Sequence, residues 1–172
     1  MSVAQLITPN VDTSGAHGIL FRRATVKDAS TVAQQRYAMF REMGYTDEAA
    51  LHAMKRRFLL WVESKLKSGQ YLAWLATTED GRVVAGAGLW LMDWPAHMLH
   101  SSSRRANILN VYTSPAYRRR GLARLLIEGA VYWCQANEID YIVLHASEKG
   151  RGIYEKLGFK ASNEMRLKIG RQ

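Results

Sequence analysis

Three arginines, Arg118, Arg119 and Arg120, stand directly before Gly121 and a leucine-rich run in "SPAYRRRGLARLL", residues 114–126. A strand that ends in a turn and opens at once into a helix gathers unpaired backbone N–H groups at the positive end of the helix dipole, which is a place for an anion. Gly121 lets a bulky anion approach the backbone, and the small Ala123 helps the turn pack closely. Arginine adds charge and forked donors that suit phosphate oxygens, so the stretch reads as a pyrophosphate cradle. It is neither the lysine-bearing nucleotide loop, since no Gly-Lys followed by Ser or Thr occurs, nor the dinucleotide fingerprint with three spaced glycines.

The composition agrees with an anionic guest without naming it. Against 15 Asp and Glu stand 24 Lys and Arg, a formal charge of +9 in 172 residues, and 48% of the chain is hydrophobic, enough for the core of one domain. A single cysteine, Cys134, excludes an internal disulfide framework. No secretory pattern opens the chain and no apolar run approaches the roughly 20 residues that span a bilayer, so the expectation is a cytoplasmic protein without a membrane partner.

Elements must position the cradle. Residues 1–18 lack periodicity and read as a flexible arm, with the domain proper over 19–172. "ILFRRA" is a short strand, and Thr25 three residues before Asp28 suits a capping box ahead of a helix that Gly44 stops. A second helix follows from Thr46 or Asp47 to Gly69. "YLAWLAT" and "RVVAGAGLWL", joined by an Asp-Gly turn, predict an antiparallel hairpin, with Gly86 and Gly88 marking a bulge or a close approach by another group. The strand "ANILNVYT" leads to Pro115, and residues 120–136 form the clearest amphipathic helix. "DYIVLHA" then returns as a strand parallel to it through a right-handed crossover. A short helix through "EKGRGIYEKL" and a last hairpin from "GFKA" to "NEMRLKI" complete a mixed α/β plan.

With these elements placed, "VYTSPAYRRRGLA" and "IYEKLGF" together resemble the two hallmarks of the GCN5-related N-acetyltransferases, and the likeness in element order spans residues 19–169. The resemblance implies a single domain with a largely antiparallel sheet, a parallel central strand pair that splays to admit acetyl-CoA, and flanking helices. It implies transfer of an acetyl group from acetyl-CoA to an amine, without a metal. By that resemblance the backbone of Arg118, Arg119, Arg120, Gly121, Leu122 and Ala123 holds the pyrophosphate, and Val111, Tyr112 and Thr113 offer strand-edge hydrogen bonds to the pantetheine arm. Adjacent side chains on a turn cannot all face one way, so at least one of the three arginines is expected to be solvated.

Transfer needs a neutral amine and a proton for the departing thiolate. The resemblance gives Tyr154 the role of general acid, which a phenol protonated at neutral pH can fill. Many relatives carry a glutamate early in the fourth strand; Asn107 stands there in this chain and cannot accept a proton. Glu42, at the end of the first helix, is the leading alternative base, against its plain reading as a solvated helix-end carboxylate. Asp93, Trp94 and His97, with His100, are expected to line the acceptor pocket; no further His or Cys cluster completes a zinc site. Ser147 replaces a frequent asparagine and is expected near the pantetheine or an ordered water. His145 reads as a packed strand-end histidine, and Cys134 as a buried residue instead of an acylated nucleophile.

The acceptor expected from the charge is an acidic or neutral small molecule bearing a primary amine, and a homodimer is plausible. Two other classes compete. An acyl-CoA-binding regulator without turnover would explain the missing strand glutamate. A basic nucleic-acid-binding module would explain a sequence pI near 9.9, but the basic clusters are scattered and no helix-turn-helix or RNA-binding strand motif accompanies them, so no nucleic acid is expected.

Overall fold

The computed structural model describes residues 16–95, 97–98 and 101–169; the expected arm lies, up to residue 15, outside the described residues, as does His100. Strand β1 (Ile19–Arg23) leads through a 3-10 turn into α1 (Ala29–Glu42), followed by α2 (Glu48–Lys67). The hairpin β2 (Tyr71–Thr78) and β3 (Val83–Asp93) comes next, then β4 (Arg104–Thr113), α3 (Leu122–Ala136), β5 (Ile142–Leu144) and the short α4 (Arg151–Lys156). The five strands form one sheet in the order β1-β2-β3-β4-β5, antiparallel except for the parallel β4–β5 pair.

Local signals explain the boundaries. Asp28 accepts from the Thr25 N–H at 2.8 Å and from both Arg22 terminal nitrogens at 2.7 and 2.9 Å, so the acid that opens α1 also fastens β1. The Arg22 guanidinium holds its carboxyl down at about 2. Asp47 caps α2 by accepting from the Ala50 N–H at 2.9 Å.

Two apolar layers enclose the sheet. On one side Leu122, Leu125, Leu126 and Ile127 of α3 are buried against β3 and β4, and on the other Val32 and Ala33 of α1 and Phe58 and Val62 of α2 cover β2. Strand β2 is therefore buried on both faces, and its near-continuous apolar run, "YLAWLAT", is the composition such a strand needs. Each large side chain buried in this way contributes about 1.5–3 kcal/mol.

Both readings of Gly86 and Gly88 are realised. The β3–β4 register shifts between them, and the side chains of Gln35 on α1 and Tyr71 on β2 fill the space that a Cβ would take. A Cβ on Gly88 would lie 1.8 Å from the Tyr71 hydroxyl oxygen, and one on Gly86 2.4 Å from Gln35 Oε1.

The expected last hairpin is a correction. Residues 159–169 form no strand, and the parallel β4–β5 pair accordingly stands at one edge of the sheet. The alternation of Met165, Leu167 and Ile169 suits a strand, but a strand forms only against a partner edge, and a groove separates β5 from the chain that follows Gly158. Among the described residues no helix is long and apolar enough to cross a membrane.

Candidate active site

The turn after β4 is built to collect N–H groups. Pro115 opens a 3-10 turn (Pro115–Tyr117), Arg118 is extended, and Arg119 (φ 61°) and Gly121 (φ 74°) both take left-handed backbone. Alternating backbone hands turn successive amides to one side, as in anion-binding nests. The amides that open α3 have no intrahelical acceptor by position; the ladder starts where the Leu125 N–H donates to the Gly121 C=O at 3.1 Å. A Cβ on Gly121 would meet nothing within 4 Å, so the space before the turn is open. Arg119 adopts its positive φ without being glycine, at a cost of roughly 1–2 kcal/mol that the turn sustains.

The three arginine side chains diverge. Arg118 Nε donates to the Thr113 C=O at 2.9 Å, while its Nη2 donates to Glu42 Oε2. Arg120 donates to the His17 C=O at 2.9 Å and lies 5.5 Å over the Tyr117 ring. Arg119 is exposed and has no hydrogen bond to another described residue, so it is the solvated member. Arg82, from the β2–β3 turn, donates to the Tyr117 hydroxyl at 2.8 Å and adds a fourth cation that nothing in the local pattern announced. Leu122 contributes only its backbone here, because its side chain is in the core; Ala123 is half-buried beside it.

The strand leading into this turn has a free edge. β5 pairs with β4 only over Ala106–Ile108, whereas β4 runs on to Thr113. Tyr112 and Thr113 are held by β3 on one side, opposite Gly86 and Ala85, and together with Val111 they lie beyond the last β5 rung on the other. The bend in β4 is centred on Asn110, buried with φ 56°. Asn110 Oδ1 accepts from Arg36 Nη1 at 2.7 Å, and Arg36 stacks over Phe40 and Phe58 at 4.9 and 4.6 Å. Residues 74 apart thus join α1 to the bend, a link that no local sequence signal carries. Asn107 faces the same layer, in register with Trp90 and Val143, and its Oδ1 is buried without a hydrogen-bond partner among the described residues.

Tyr154, half-buried on α4, packs against the α3-side core and meets Phe159 edge-on with ring centroids 6.0 Å apart. Burial pushes its phenol above the ordinary value, which keeps it protonated. Ser147 accepts from the Gly150 N–H at 3.2 Å through its hydroxyl, and its carbonyl accepts from the Gly150 and Arg151 N–H groups at 3.0 Å, so it starts α4. A Cβ on Gly150 would lie 3.2 Å from both Ser147 Oγ and Tyr154 Cε2, which puts these two expected site residues side by side. His145, exposed just beyond β5, borders the same groove as Tyr154.

Glu42 belongs to the cradle end. Its second oxygen accepts from the Tyr112 hydroxyl at 3.1 Å, so both oxygens of the expected base are engaged by the strand edge and Arg118. Asp93, Trp94 and His97 lie at the other end of β4: Asp93 pairs in register with Arg104, and the Trp94 ring carries the Arg105 guanidinium at 3.7 Å. Nine strand steps of about 3.3 Å put that end some 30 Å from Thr113, so the structure does not bring these three together with Glu42. Among the described residues no three His, Cys, Asp or Glu side chains converge on a metal-sized site. Cys134 is buried, and its thiol is pushed up to about 12 by that burial.

The sequence profile of the acetyltransferase (GNAT) family matches residues 33–159. Comparison with curated protein sequences gives no significant match. Among solved structures, a GCN5-related N-acetyltransferase from Ralstonia eutropha JMP134 is 35% identical with a TM-score of 0.82, over 88% of this chain and 99% of that one. A predicted acetyltransferase from Clostridium acetobutylicum, solved with acetyl-CoA, is 25% identical with a TM-score of 0.80, over 88% of this chain and 96% of that one. At 16% identity and a TM-score of 0.62, glucosamine-6-phosphate N-acetyltransferase from Arabidopsis thaliana shares the fold, over 88% of this chain and 97% of that one.

Proposed function

The chain belongs to the GNAT acetyltransferase family, and on that footing we propose that it moves an acetyl group from acetyl-CoA directly to the primary amine of a small molecule. The observation that carries the proposal is the continuity of the open β4 edge with the amide nest: Val111–Thr113 run beyond the last β5 rung, with Arg118 Nε on the Thr113 C=O, into Arg118–Ala123. A phosphate-bearing thioester with a long amide-containing arm needs those two surfaces in that order. The solved relative with acetyl-CoA supports the donor.

In this reading the backbone amides of the nest and the side chains of Arg118, Arg119 and Arg120 hold the pyrophosphate, and the backbone groups of Val111, Tyr112 and Thr113 pair with the arm. Acetyl-CoA supplies an acetyl carbonyl activated by its thioester. The amine nitrogen forms the new C–N bond as the C–S bond breaks, and the Tyr154 hydroxyl gives its proton to the departing sulfur. Ser147 steadies the start of the helix that carries Tyr154. Transfer is direct because the Cys134 thiol, held protonated in the core, is no nucleophile. The attacking nitrogen must lose a proton to Glu42 or to water, and Glu42 is available only when Arg118 turns to phosphate. Asp93, Trp94 and His97, at the far end of β4, lie beyond the reach of a small acceptor held at Glu42, so their expected contact with the acceptor holds only where water, and not Glu42, takes the proton. A net charge of +9 favours an acidic or neutral acceptor. The lone cysteine suits a reducing compartment, and a cytoplasmic setting is part of the proposal.

Neither candidate position supplies a free base, since Asn107 on β4 cannot accept a proton and Glu42 at the end of α1 is engaged, and this favours one second reading, an acyl-CoA-binding regulator. Calorimetric titration with acetyl-CoA, beside dephospho-coenzyme A and duplex DNA, followed by thiol release over a panel of amines, separates the two. Saturable one-site binding with amine-dependent thiol release supports the enzyme, and binding without release supports the regulator. DNA binding with no coenzyme binding at millimolar concentration sinks both.

A further inference from the structure

Arg36 is a cation held out of water without an anion. Its guanidinium lies over the Phe40 and Phe58 rings, and Nη1 donates to Asn110 Oδ1 at 2.7 Å. Its Nε is buried with no hydrogen-bond partner among the described residues, and none of their carboxylates pairs with it. Burial draws the guanidinium below its ordinary value, as expected of a charge removed from water without compensation. Glu42 on α1 and Glu48 on α2 are engaged elsewhere, the first by Arg118 and Tyr112, the second by Tyr37 and His52. The Tyr71 phenol, whose field reaches Arg36, is fully buried and pushed upward, so it is neutral and supplies no counter-charge. The ring faces attract the cation but leave its Nε–H without an acceptor. Buried charges are ordinarily paired and hydrogen-bonded, and here the chain itself does not provide the partner.

The place of this cation gives the partner its chemistry. Asn110 immediately precedes Val111, where the open β4 edge begins, so Arg36 stands beside the start of that edge. The layer on this side of the sheet is not sealed, since Trp61 of α2, Trp90 of β3 and Asn107 and Leu109 of β4 are each only half-buried. Asn107 Oδ1 is a second orphan on the same layer, an unmatched acceptor beside an unmatched donor. With Nη1 held by Asn110, the guanidinium keeps its Nε and Nη2 edge, and two parallel N–H groups are the fork that a carboxylate fits. We propose that Arg36 selects the acceptor, which is an amino carboxylic acid and not a plain amine: its carboxylate takes the Nε and Nη2 hydrogens, and its amine donates to Asn107 Oδ1 on the way to the β4 edge. The role of the amine rests on the acetyl-transfer reading, whereas the carboxylate site rests on Arg36 alone.

The test reads Arg36 directly in the full chain. In nitrogen-labelled protein the Arg36 Nε–H resonance is assigned by its loss in Arg36→Lys, then followed with coenzyme A present as three pairs are titrated: L-phenylalanine and phenethylamine, β-alanine and ethylamine, γ-aminobutyrate and propylamine. The members of each pair differ only by the carboxylate. A saturable shift with at least one of the acids, and none with its matched amine, is the expected result. In thiol release with acetyl-CoA, the ratio of kcat/KM for that acid over its amine should fall roughly 10- to 100-fold in Arg36→Met and recover in part in Arg36→Lys. A merely structural Arg36 would lower both members of a pair alike and leave the ratio unchanged. No shift with any of the acids, or an unchanged ratio in Arg36→Met, would overturn the assignment, and acetylation of the plain amines would then leave the transfer reading standing. A saturable shift with no thiol release from any amine would support the carboxylate site and sink the transfer reading instead.

Discussion

Glu42→Gln separates two roles for one carboxylate. Its oxygens accept from Arg118 Nη2 and from the Tyr112 hydroxyl, and the pair is part-exposed, with the Arg118 and Glu42 side chains 44 and 37% accessible. A phosphate in the nest must draw Arg118 away from Glu42 or share it. Ion pairs of this exposure are worth about 0.2–1 kcal/mol, and tenfold in affinity is about 1.4 kcal/mol, so removing the competing charge should tighten acetyl-CoA binding about 1.4- to 5-fold. Calorimetry measures the dissociation constant, and its difference from wild type should shrink near 1 M salt, where the screening length is about 3 Å. A general base would behave otherwise: single-turnover thiol release would fall by about 10² to 10⁴. Binding that weakens, or a thousandfold loss of rate at unchanged affinity, would refute the view of Glu42 as a stand-in for phosphate and would restore it as the base.

Tyr154→Phe should lower kcat by about 10² to 10⁴ while acetyl-CoA affinity by calorimetry stays near wild type; an unchanged kcat removes Tyr154 from the chemistry. Because burial raises this phenol and the acid acts while protonated, activity should be lost only as pH rises through a value above 10, and that alkaline limb should vanish in Tyr154→Phe. Gly121→Ala should cost roughly 1–2 kcal/mol in urea unfolding and weaken acetyl-CoA; since nothing crowds the site, the cost is conformational, and Gly121→Asn should restore part of it. Asp28→Asn should destabilise by about 1 kcal/mol at neutral pH through the lost cap. The Asp28 pKa is depressed from 3.8 to about 2, so its contribution is present above pH 4, and the gap between wild type and variant should close as pH falls toward 2, read by thermal unfolding.

The elements that carry their own local signals were legible: the Thr25–Asp28 start of α1, the Asp-Gly hairpin, the stripe of α3 and the glycine-closed turn before it. Gly86 and Gly88 announced an irregularity without saying which kind, and both kinds occur. What could not be read depends on partners far apart in sequence. Arg36 and Asn110 meet across 74 residues, and Glu42 and Arg118 across 76, so α1 closes on β4 through contacts that no window of sequence contains. The expected hairpin at the C-terminus failed for a related reason. Its alternation states what the segment is suited to do, whereas whether it pairs depends on which edge it meets.

Tyr71 and Gly88 are one unit written at two places. The Tyr71 hydroxyl sits where a side chain on Gly88 would begin, and even its ring carbon Cζ lies 2.4 Å from that point. Laboratory diversification of the α1–α2 side of the sheet therefore faces a ratchet: any residue larger than glycine at 88 is incompatible with tyrosine or phenylalanine at 71, while a small residue at 71 alone opens a void. Libraries that vary the two positions jointly should yield folded variants that single-position scans miss, and the shape of this face should change in coordinated steps of two residues at a time.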